Sequence, residues 1–189
     1  MINHRLEEHH ERMCLGFDPG YVGLGHADQC FLDCAIRAHP HWSRVVELGT
    51  YCGVTAAILG ATMMSRGGCV VTVDKNEPPA EVRRAWHPNV TFMKEDICPD
   101  GQVNNALAAL ISSSDCLVVV DGGNKPLEVR KYWPYVRNGS ALVVHDWGGT
   151  RLDGEITWED IADMMKDAEP LGLALALSLR SAFRGWIRR

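Results

Sequence analysis

Four short runs of largely apolar, β-branched residues constrain the fold more strongly than any other feature of this chain. They are Val45-Val46, Val70–Val73, Leu117–Val120 and Leu142–Val144. None of them alternates with polar residues, as a strand with one solvent-facing side does. Continuous runs of this kind are typical of strands buried on both faces, in a parallel sheet covered by helices.

Segments with helical spacing of apolar residues separate these runs, so strands and helices alternate along the chain. Strands are predicted at residues 45–48, 69–73, 90–93, 116–120 and 141–144, and after Pro170 at 171–179 and 182–187. Helices are predicted at residues 27–38, 54–64, 79–86, 103–111, 127–136 and 157–166. The last two strands are joined by a short turn and favour antiparallel pairing. We expect an α/β fold with a mostly parallel seven-stranded sheet, helices on both faces and an antiparallel edge strand.

Length and composition favour one globular domain over residues 1–189, with residues 1–25 as a loop and helix extension. The chain has 189 residues, of which 46% are hydrophobic and 23% charged, which is typical of a soluble protein of one domain. The formal net charge of −5 argues against a nucleic-acid partner, because phosphate binding needs a concentrated basic surface.

Cysteine content and hydropathy predict a cytoplasmic protein without a membrane segment. The seven cysteines form no Cys-x-x-Cys pair, and we expect them to be reduced. The polar N-terminus lacks the apolar stretch of a signal peptide. The longest apolar run, residues 171–179, is far shorter than the ~20 residues of a membrane helix.

Five acids lie at or just beyond the carboxyl ends of the five predicted parallel strands: Glu47, Asp74, Asp96, Asp121 and Asp146. Ligands of open α/β sheets bind in the crevice outside those ends. One such acid would more readily be explained as a helix cap. Five at equivalent positions favour a binding site instead.

The stretch VVELGTYCGVTA, residues 45–56, places Gly49 and Gly53 between the first strand and its helix. Bare backbone and a helix N-terminus suit the close approach of a ligand. A dinucleotide site would have a further glycine where this chain has Tyr51. We therefore favour a nucleoside without phosphate. Asp74 suits the two ribose hydroxyls and Asp96 an exocyclic adenine amine, which together describe S-adenosylmethionine better than NAD.

Several motifs carry a family resemblance. VVELGTYCGVTA, followed by VVTVDK, VTFMKEDI and VVVDGGNKP, resembles the Rossmann-like class I S-adenosylmethionine-dependent methyltransferases. Residues 33–56 are similar to catechol O-methyltransferase and its small-molecule relatives. The later DGGNKPLEVRKYWPYVRNGSALVVHDW resembles phage and bacterial methyltransferases related to the cephalosporin-hydroxylase type. The resemblance covers residues 33–147.

The resemblance implies a cofactor site in which Glu47 orients the amino group of the methionine moiety. Asp74 would hold the ribose, Asp96 would lie beside the adenine, and Asp121 would lie near the sulfonium. The full expected set of cofactor-binding residues is Glu47, Gly49, Thr50, Tyr51, Gly53, Asp74, Lys75, Asp96 and Asp121.

The resemblance also implies a metal site and a catalytic base, and here the chain departs from the pattern. Asp121 and Asp146 match two acids that bind a divalent ion, with magnesium preferring such oxygen ligands. Trp147 stands where the catechol-type set has an asparagine, and His145 precedes Asp146 where the other subfamily has an acid. An imidazole would shift selectivity toward transition metals.

Lys125 is the first candidate base, because a lysine in a dry pocket can have a lowered pKa. The lysine of catechol-type enzymes lies one residue earlier, where this chain has Asn124. His145 is the second, because its ordinary pKa lies near neutrality. Lys125 could equally be a surface lysine that opens a helix, and His145 a histidine satisfied at a strand end. With Asp121, these residues form the expected catalytic set.

The function expected from these residues is methyl transfer to the hydroxyl of a small molecule, assisted by Mg²⁺ or another divalent cation. Two alternatives stay open: a catalytically inactive S-adenosylmethionine-binding regulatory or scaffold protein, and an NAD-dependent oxidoreductase. Insertions that build the acceptor pocket are short, so we expect an open pocket or one completed by a second subunit of a homodimer.

Overall fold

The computed structural model describes residues 25–148, 156–172, 174 and 181–189. Strands in these segments form one sheet in the order β3-β2-β1-β4-β5-β7-β6. Their bounds are β1 Arg44–Leu48, β2 Cys69–Asp74, β3 Val90–Lys94, β4 Cys116–Val120, β5 Ala141–Val144, β6 Ala168–Pro170 and β7 Arg184–Arg188.

The sheet is parallel except around β7. β1 pairs in parallel with β2 on one side and with β4 on the other. β3 pairs in parallel with β2, and β5 pairs in parallel with β4. β7 runs antiparallel to both β5 and β6. The predicted α/β sheet, mostly parallel with antiparallel pairing at one edge, is confirmed.

Helices cover both faces of the sheet, as the continuous apolar strands predict. The α-helices are α1 His26–Ala38, α2 Val54–Met64, α3 Ala80–Arg84, α4 Asn105–Ser112 and α5 Lys125–Tyr132. α1 and α2 bury Phe31 and Ile58 in the hydrophobic core of one face. α4 and α5 bury Leu107 and Val129 in the core of the other. In the described part of the chain, no helix combines the length and the hydropathy that a bilayer span requires.

The C-terminal part differs from the prediction. The helix expected at residues 157–166 is a single 3-10 turn, Trp158–Asp160, that begins with a capping box between Thr157 and Asp160. Turns follow it at residues 161–164, where Ile161 is buried in the core and Arg130 donates to the carboxylate of Asp163. β6 ends at Pro170, before the strand predicted at 171–179, most of which lies outside the described residues. The N-terminal extension, residues 1–24, also lies outside them.

Candidate active site

The five strand-end acids lie along the side of the sheet where the parallel strands have their carboxyl ends. From β1 the chain continues to β2 and β3 on one side of the sheet, and from β4 it continues to β5 on the other side. This reversal of strand order between β1 and β4 opens a crevice at their carboxyl ends. Glu47 is the penultimate residue of β1 and Asp74 the last of β2, whereas Asp121 directly follows β4. Asp96 and Asp146 lie two residues beyond β3 and β5.

The turn after β1 has left-handed backbone at three positions: Gly49 at φ 97°, Tyr51 at φ 47° and Gly53 at φ 82°. A Cβ on Gly49 would lie 2.5 Å from the carbonyl oxygen of Asp121, so the glycine allows the loops after β1 and β4 to touch. Tyr51 adopts this costly conformation with its side chain 72% exposed.

Gly53 makes an internal contact with Trp86. A Cβ there would lie 2.7 Å from the indole of Trp86, and Trp86 Nε1 donates to the Gly53 carbonyl at 2.9 Å. Gly49, in contrast, lines the cavity described below. Of the two glycines, the structure therefore brings Gly49 to the site and places Gly53 behind it.

Asp74 ties the end of β2 to this turn. Its Oδ2 accepts from the backbone N–H groups of Thr50 and Tyr51, both at 3.1 Å. Its Oδ1 accepts from Asn76 N at 2.9 Å. A carboxylate has about four acceptor sites, so Asp74 keeps capacity for further donors. Thr50 is buried, and its hydroxyl lies 2.6 Å from that of Thr72.

A cavity of about 260 Å³ opens beside Asp74. Ile97 and Leu127 supply apolar surface, and Asp96 accepts from Cys98 N at 2.9 Å, which orients its carboxylate within the loop. The lining residues are Gly49, Asp74, Lys75, Asp96, Ile97, Cys98, Gly122, Asn124, Leu127 and Glu128. A lining that combines carboxylates with apolar side chains suits a nucleoside, which has both hydroxyl donors and an apolar base.

Glu47 is fully buried, and neither of its carboxylate oxygens has a hydrogen-bond partner among the described residues. Burial raises the pKa of Glu47 to about 8, and Asp121 and Asp74 raise it as well, while the nearby Thr72 hydroxyl lowers it in part. That hydroxyl is engaged by Thr50 and makes no well-formed bond to Glu47. An unpaired buried carboxylate is costly and therefore suits a cationic ligand group.

Glu128, on α5, is a cavity residue that the sequence analysis missed. It is buried, its Oε1 accepts from Asn124 N at 3.2 Å, and its Oε2 has no partner among the described residues. Burial raises the pKa of Glu128 to about 7. An acid in the first turn of a helix ordinarily faces solvent, so only Gly122, whose missing side chain leaves room for the carboxylate, signalled this placement.

Asp121, Asp146, Lys125 and His145 form a compact charged cluster. Lys125 Nζ lies 2.9 Å from Asp146 Oδ2 and 3.6 Å from Asp121 Oδ1. His145 Nδ1 lies 3.2 Å from Asp121 Oδ1 and 3.1 Å from Asp146 Oδ1. One ligand atom from each of the acids and the histidine lies within 4.8 Å of the others, the spacing of a candidate metal site.

The carboxylates of the cluster raise the pKa of both candidate bases. Burial alone would lower the pKa of Lys125, but its contacts with Asp146 and Asp121 outweigh burial and raise it. Burial likewise lowers the pKa of His145, yet Asp121 and Asp28 raise it to about 10. Both side chains are therefore cations at neutral pH. Lys125 opens α5 but is buried rather than on the surface, and His145 lies just beyond β5 with carboxylate partners, as a histidine satisfied at a strand end does.

Asp28 of α1 is the second residue that sequence reasoning missed. It accepts from Ser181 Oγ at 2.8 Å and from Ala182 N at 2.7 Å, and its Oδ2 lies 3.7 Å from His145 Nε2. That last distance is too long for a hydrogen bond but close enough for electrostatic attraction. His145 thus lies between carboxylates on both sides, an arrangement that no local sequence pattern signals.

A second cavity, of about 290 Å³, lies beside β7 and is mostly apolar. Trp147 directly follows Asp146, and its ring centroid lies 5.1 Å from that of Trp186. Trp158 stacks on Trp186 at 6.0 Å and is 46% exposed. The lining residues are Trp147, Trp158, Pro170, Leu171, Arg184, Gly185 and Trp186.

Comparison with known proteins places this geometry in a family context. The model of the methyltransferase-domain family matches residues 46–147, just over half of the chain. No curated protein matches the sequence. Similarity to solved structures is broad in coverage and low in identity.

Three solved structures illustrate this similarity. A Podospora anserina methyltransferase with bound S-adenosylhomocysteine is 14% identical, with a TM-score of 0.64 over 97% of this chain and 87% of that one. A protein assigned as an O-methyltransferase from Klebsiella pneumoniae is 17% identical, with a TM-score of 0.56 over 98% and 89%. A CmcI structure with Mg and S-adenosylmethionine is 13% identical, with a TM-score of 0.58 over 90% and 79%. At these identities the likeness shows the fold.

Proposed function

The chain belongs to the methyltransferase-domain family, as an S-adenosylmethionine-dependent methyltransferase, and from that premise we propose that it methylates a hydroxyl group of a small molecule. The observation that carries the proposal is the unpaired, fully buried carboxylate of Glu47 at the turn that Asp74 holds. A cationic group beside Glu47 and a nucleoside beside Asp74 describe the two ends of one cofactor.

Residues of the first cavity would hold the adenosine part. Asp74 keeps free lone pairs toward the cavity and suits a pair of ribose hydroxyls. Ile97 and Leu127 offer apolar contact for a base, and the carboxylate of Asp96 suits an exocyclic amine. Glu47 would pair with the amino group of the methionine part, which removes the cost of its unpaired burial.

S-adenosylmethionine supplies a methyl group on a positively charged sulfur. The acceptor oxygen forms the new bond to that methyl carbon as the carbon–sulfur bond breaks, and the hydroxyl proton must leave. We propose that Lys125 and His145 act as fixed positive charges that favour loss of this proton, rather than as its acceptors. Asp146, with its side chain 41% exposed, gives the proton a route to solvent.

Divalent-cation assistance is the part of the expectation that these contacts support least. The CmcI structure contains Mg, and Asp121 with Asp146 has the oxygen chemistry that magnesium prefers. In this chain, however, both acids are already bonded to Lys125 and His145. The residues therefore do not fit a divalent ion as they stand.

The tryptophan cavity suggests an aromatic acceptor. Its faces are apolar, and Trp147 is adjacent in sequence to Asp146 of the charged cluster. An aromatic ring of the acceptor would stack on Trp158. Trp158→Ala should then raise KM for a phenolic acceptor about tenfold with little change in kcat, whereas the Kd for S-adenosylmethionine should stay the same. An unchanged KM would exclude this cavity as the acceptor site.

Turnover tests the proposal as a whole. Formation of S-adenosylhomocysteine would be measured with a panel of phenols and sugars, after titration of tryptophan fluorescence with S-adenosylmethionine and with NAD. Binding of S-adenosylmethionine with turnover of at least one hydroxyl compound is the expected result. Binding without turnover across the panel would favour the scaffold alternative, and binding of NAD alone would favour the oxidoreductase.

A homodimer that completes the acceptor pocket is a further part of the proposal. The tryptophan cavity is open at the exposed Trp158, so a second copy of the chain would have apolar surface to cover. Sedimentation equilibrium with and without an acceptor would detect such a dimer, and a monomer under both conditions would argue against it.

A further inference from the structure

We infer that the ammonium group of Lys125 takes the position of a divalent cation between Asp121 and Asp146, so that this site works without a bound metal. The inference rests on the proposed function only in placing methyl transfer at the strand ends. Its central measurement is metal binding, which needs neither cofactor nor acceptor.

Lys125 is fixed where a metal would have to lie. Its Nζ contacts a carboxylate oxygen of each acid, at 2.9 Å for Asp146 and 3.6 Å for Asp121, and donates to the Gly122 carbonyl at 3.3 Å. The side chain is only 9% exposed. Lys125 is also the first residue of α5, whose start is capped by Asn124. The lysine is therefore not a mobile surface group that an ion would displace without cost.

His145 supplies a second positive group on the other side of the same acids. Its Nδ1 approaches Asp121 Oδ1 at 3.2 Å and Asp146 Oδ1 at 3.1 Å. These are the contacts of a nitrogen that donates a proton, whereas a metal ligand needs a free lone pair on that atom. Asp28 lies 3.7 Å from Nε2 and attracts the ring in its charged form. The imidazole thus neutralises the acids instead of extending a ligand set.

Among the described residues, the cluster offers a hard cation two carboxylates, those of Asp121 and Asp146. Mg²⁺ is commonly bound by one or two carboxylates while water completes its octahedron, so the question is whether these two carboxylates are free. The next residue after Asp146 is Trp147, whose ring packs against Trp186 and cannot serve as a ligand. Two carboxylates, each already paired with a protein cation, remain. A divalent ion would gain little from them and would meet the repulsion of Lys125 and His145.

Titration of the full-length chain with Mn²⁺, followed by electron paramagnetic resonance, tests the inference. Wild-type protein should show no site tighter than about 1 mM, the weak end of protein sites for hard cations. Lys125→Met keeps the length of the side chain and removes its charge, so the affinity for Mn²⁺ should rise about ten- to a hundredfold. That gain should disappear in the double variant Lys125→Met, Asp146→Asn. Lys131→Met, a change of equal charge in the same helix, should gain nothing.

Two results would overturn the inference. One is a single Mn²⁺ per wild-type chain, bound well below 1 mM and lost in Asp121→Asn. The other is turnover that stops with EDTA and returns with Mg²⁺, whereas turnover that persists in EDTA supports the inference. If Lys125→Met fails to fold by circular dichroism, the wild-type titration decides alone. Absence of turnover under every condition would count against the proposed function and leave the outcome of the metal titration standing.

Discussion

At the scale of single residues, the carboxylates of this site fall into two groups, those with hydrogen-bond or ion-pair partners in the protein and those without. Asp74, Asp121 and Asp146 are bonded to backbone donors or to cations of the protein. Glu47 and one oxygen of Glu128 are buried and have no hydrogen-bond partner within the segments that the structure describes. The unpaired groups are costly to the ligand-free protein, because burial disfavours their charged form. They are therefore where a ligand has the most to contribute.

Glu47→Gln tests this cost through the pH dependence of stability. The pKa of Glu47 is about 8 in the folded protein against an ordinary value of 4.5, so the folded state holds the proton more tightly. The stability that this group contributes is full below pH 4.5 and is lost as the pH rises through 8. The variant has no such loss and should unfold with a free energy about 4 kcal/mol higher than wild type at pH 9.

Urea denaturation at pH 6 and pH 9 would measure this difference, with Glu81→Gln, an exposed acid, as the control. Glu47→Gln should weaken S-adenosylmethionine binding even as it stabilises the protein, because the amide cannot offer a full negative charge. Equal pH dependence in wild type and Glu47→Gln would show that Glu47 is not the titrating group.

Asp74→Ala tests the ribose contact. Removing two hydrogen bonds to a charged group should weaken S-adenosylmethionine binding by roughly 2–3 kcal/mol. The turn after β1 complicates this variant, because Asp74 also accepts from Thr50 and Tyr51. Asp74→Asn keeps an acceptor for the turn and loses only the charge, so it should lose less affinity. Calorimetric affinities equal to wild type in both variants would remove Asp74 from the cofactor site.

At the scale of elements, the contact between the loops after β1 and β4 shapes the site. The glycines of VVELGTYCGVTA predicted a bare turn, and the left-handed backbone at Gly49 and Gly53 agrees with it. The local sequence did not indicate which residues pack against these two glycines. Trp86 follows a different helix and Asp121 a different strand, so their contacts exist only after the sheet has assembled.

Gly49→Ala should damage this contact and Gly67→Ala should not. Both glycines have positive φ, at 97° and 70°, so alanine carries backbone strain at either position. The added Cβ would lie 2.5 Å from the Asp121 carbonyl at Gly49, whereas at Gly67 it meets nothing within 4 Å. We expect Gly49→Ala to cost about 2–4 kcal/mol and Gly67→Ala about 1 kcal/mol, by thermal or urea denaturation. Equal losses would mean that strain alone matters and that the loops can separate.

At the scale of the whole molecule, the sheet was predictable because continuous β-branched runs have few stable alternatives. The acids at the strand ends were also predictable as a group, since parallel strands bring equivalent ends together. The charge states of Lys125 and His145 were not. They depend on Asp146, Asp121 and Asp28, and the position of Asp28 on α1 against β5 follows from tertiary packing alone. The fold was thus readable from the sequence, the cofactor-binding residues stay a prediction, and the charge states of the basic groups could not be read from local sequence.

Cofactor binding should stabilise the whole domain, because its contacts come from the ends of β1, β2 and β3 together. A ligand that binds only the folded state at a hundred times its Kd adds about 2.7 kcal/mol to the free energy of unfolding. For a chain of this length that corresponds to a rise in Tm of roughly 5–10 °C. Differential scanning calorimetry with S-adenosylhomocysteine should show this rise in wild type and a smaller one in Asp74→Ala.

NAD at the same concentration should leave Tm unchanged, since the turn after β1 has Tyr51 where pyrophosphate would need a glycine. A larger shift with NAD than with S-adenosylhomocysteine would contradict the assignment of this cavity to an adenosyl sulfonium.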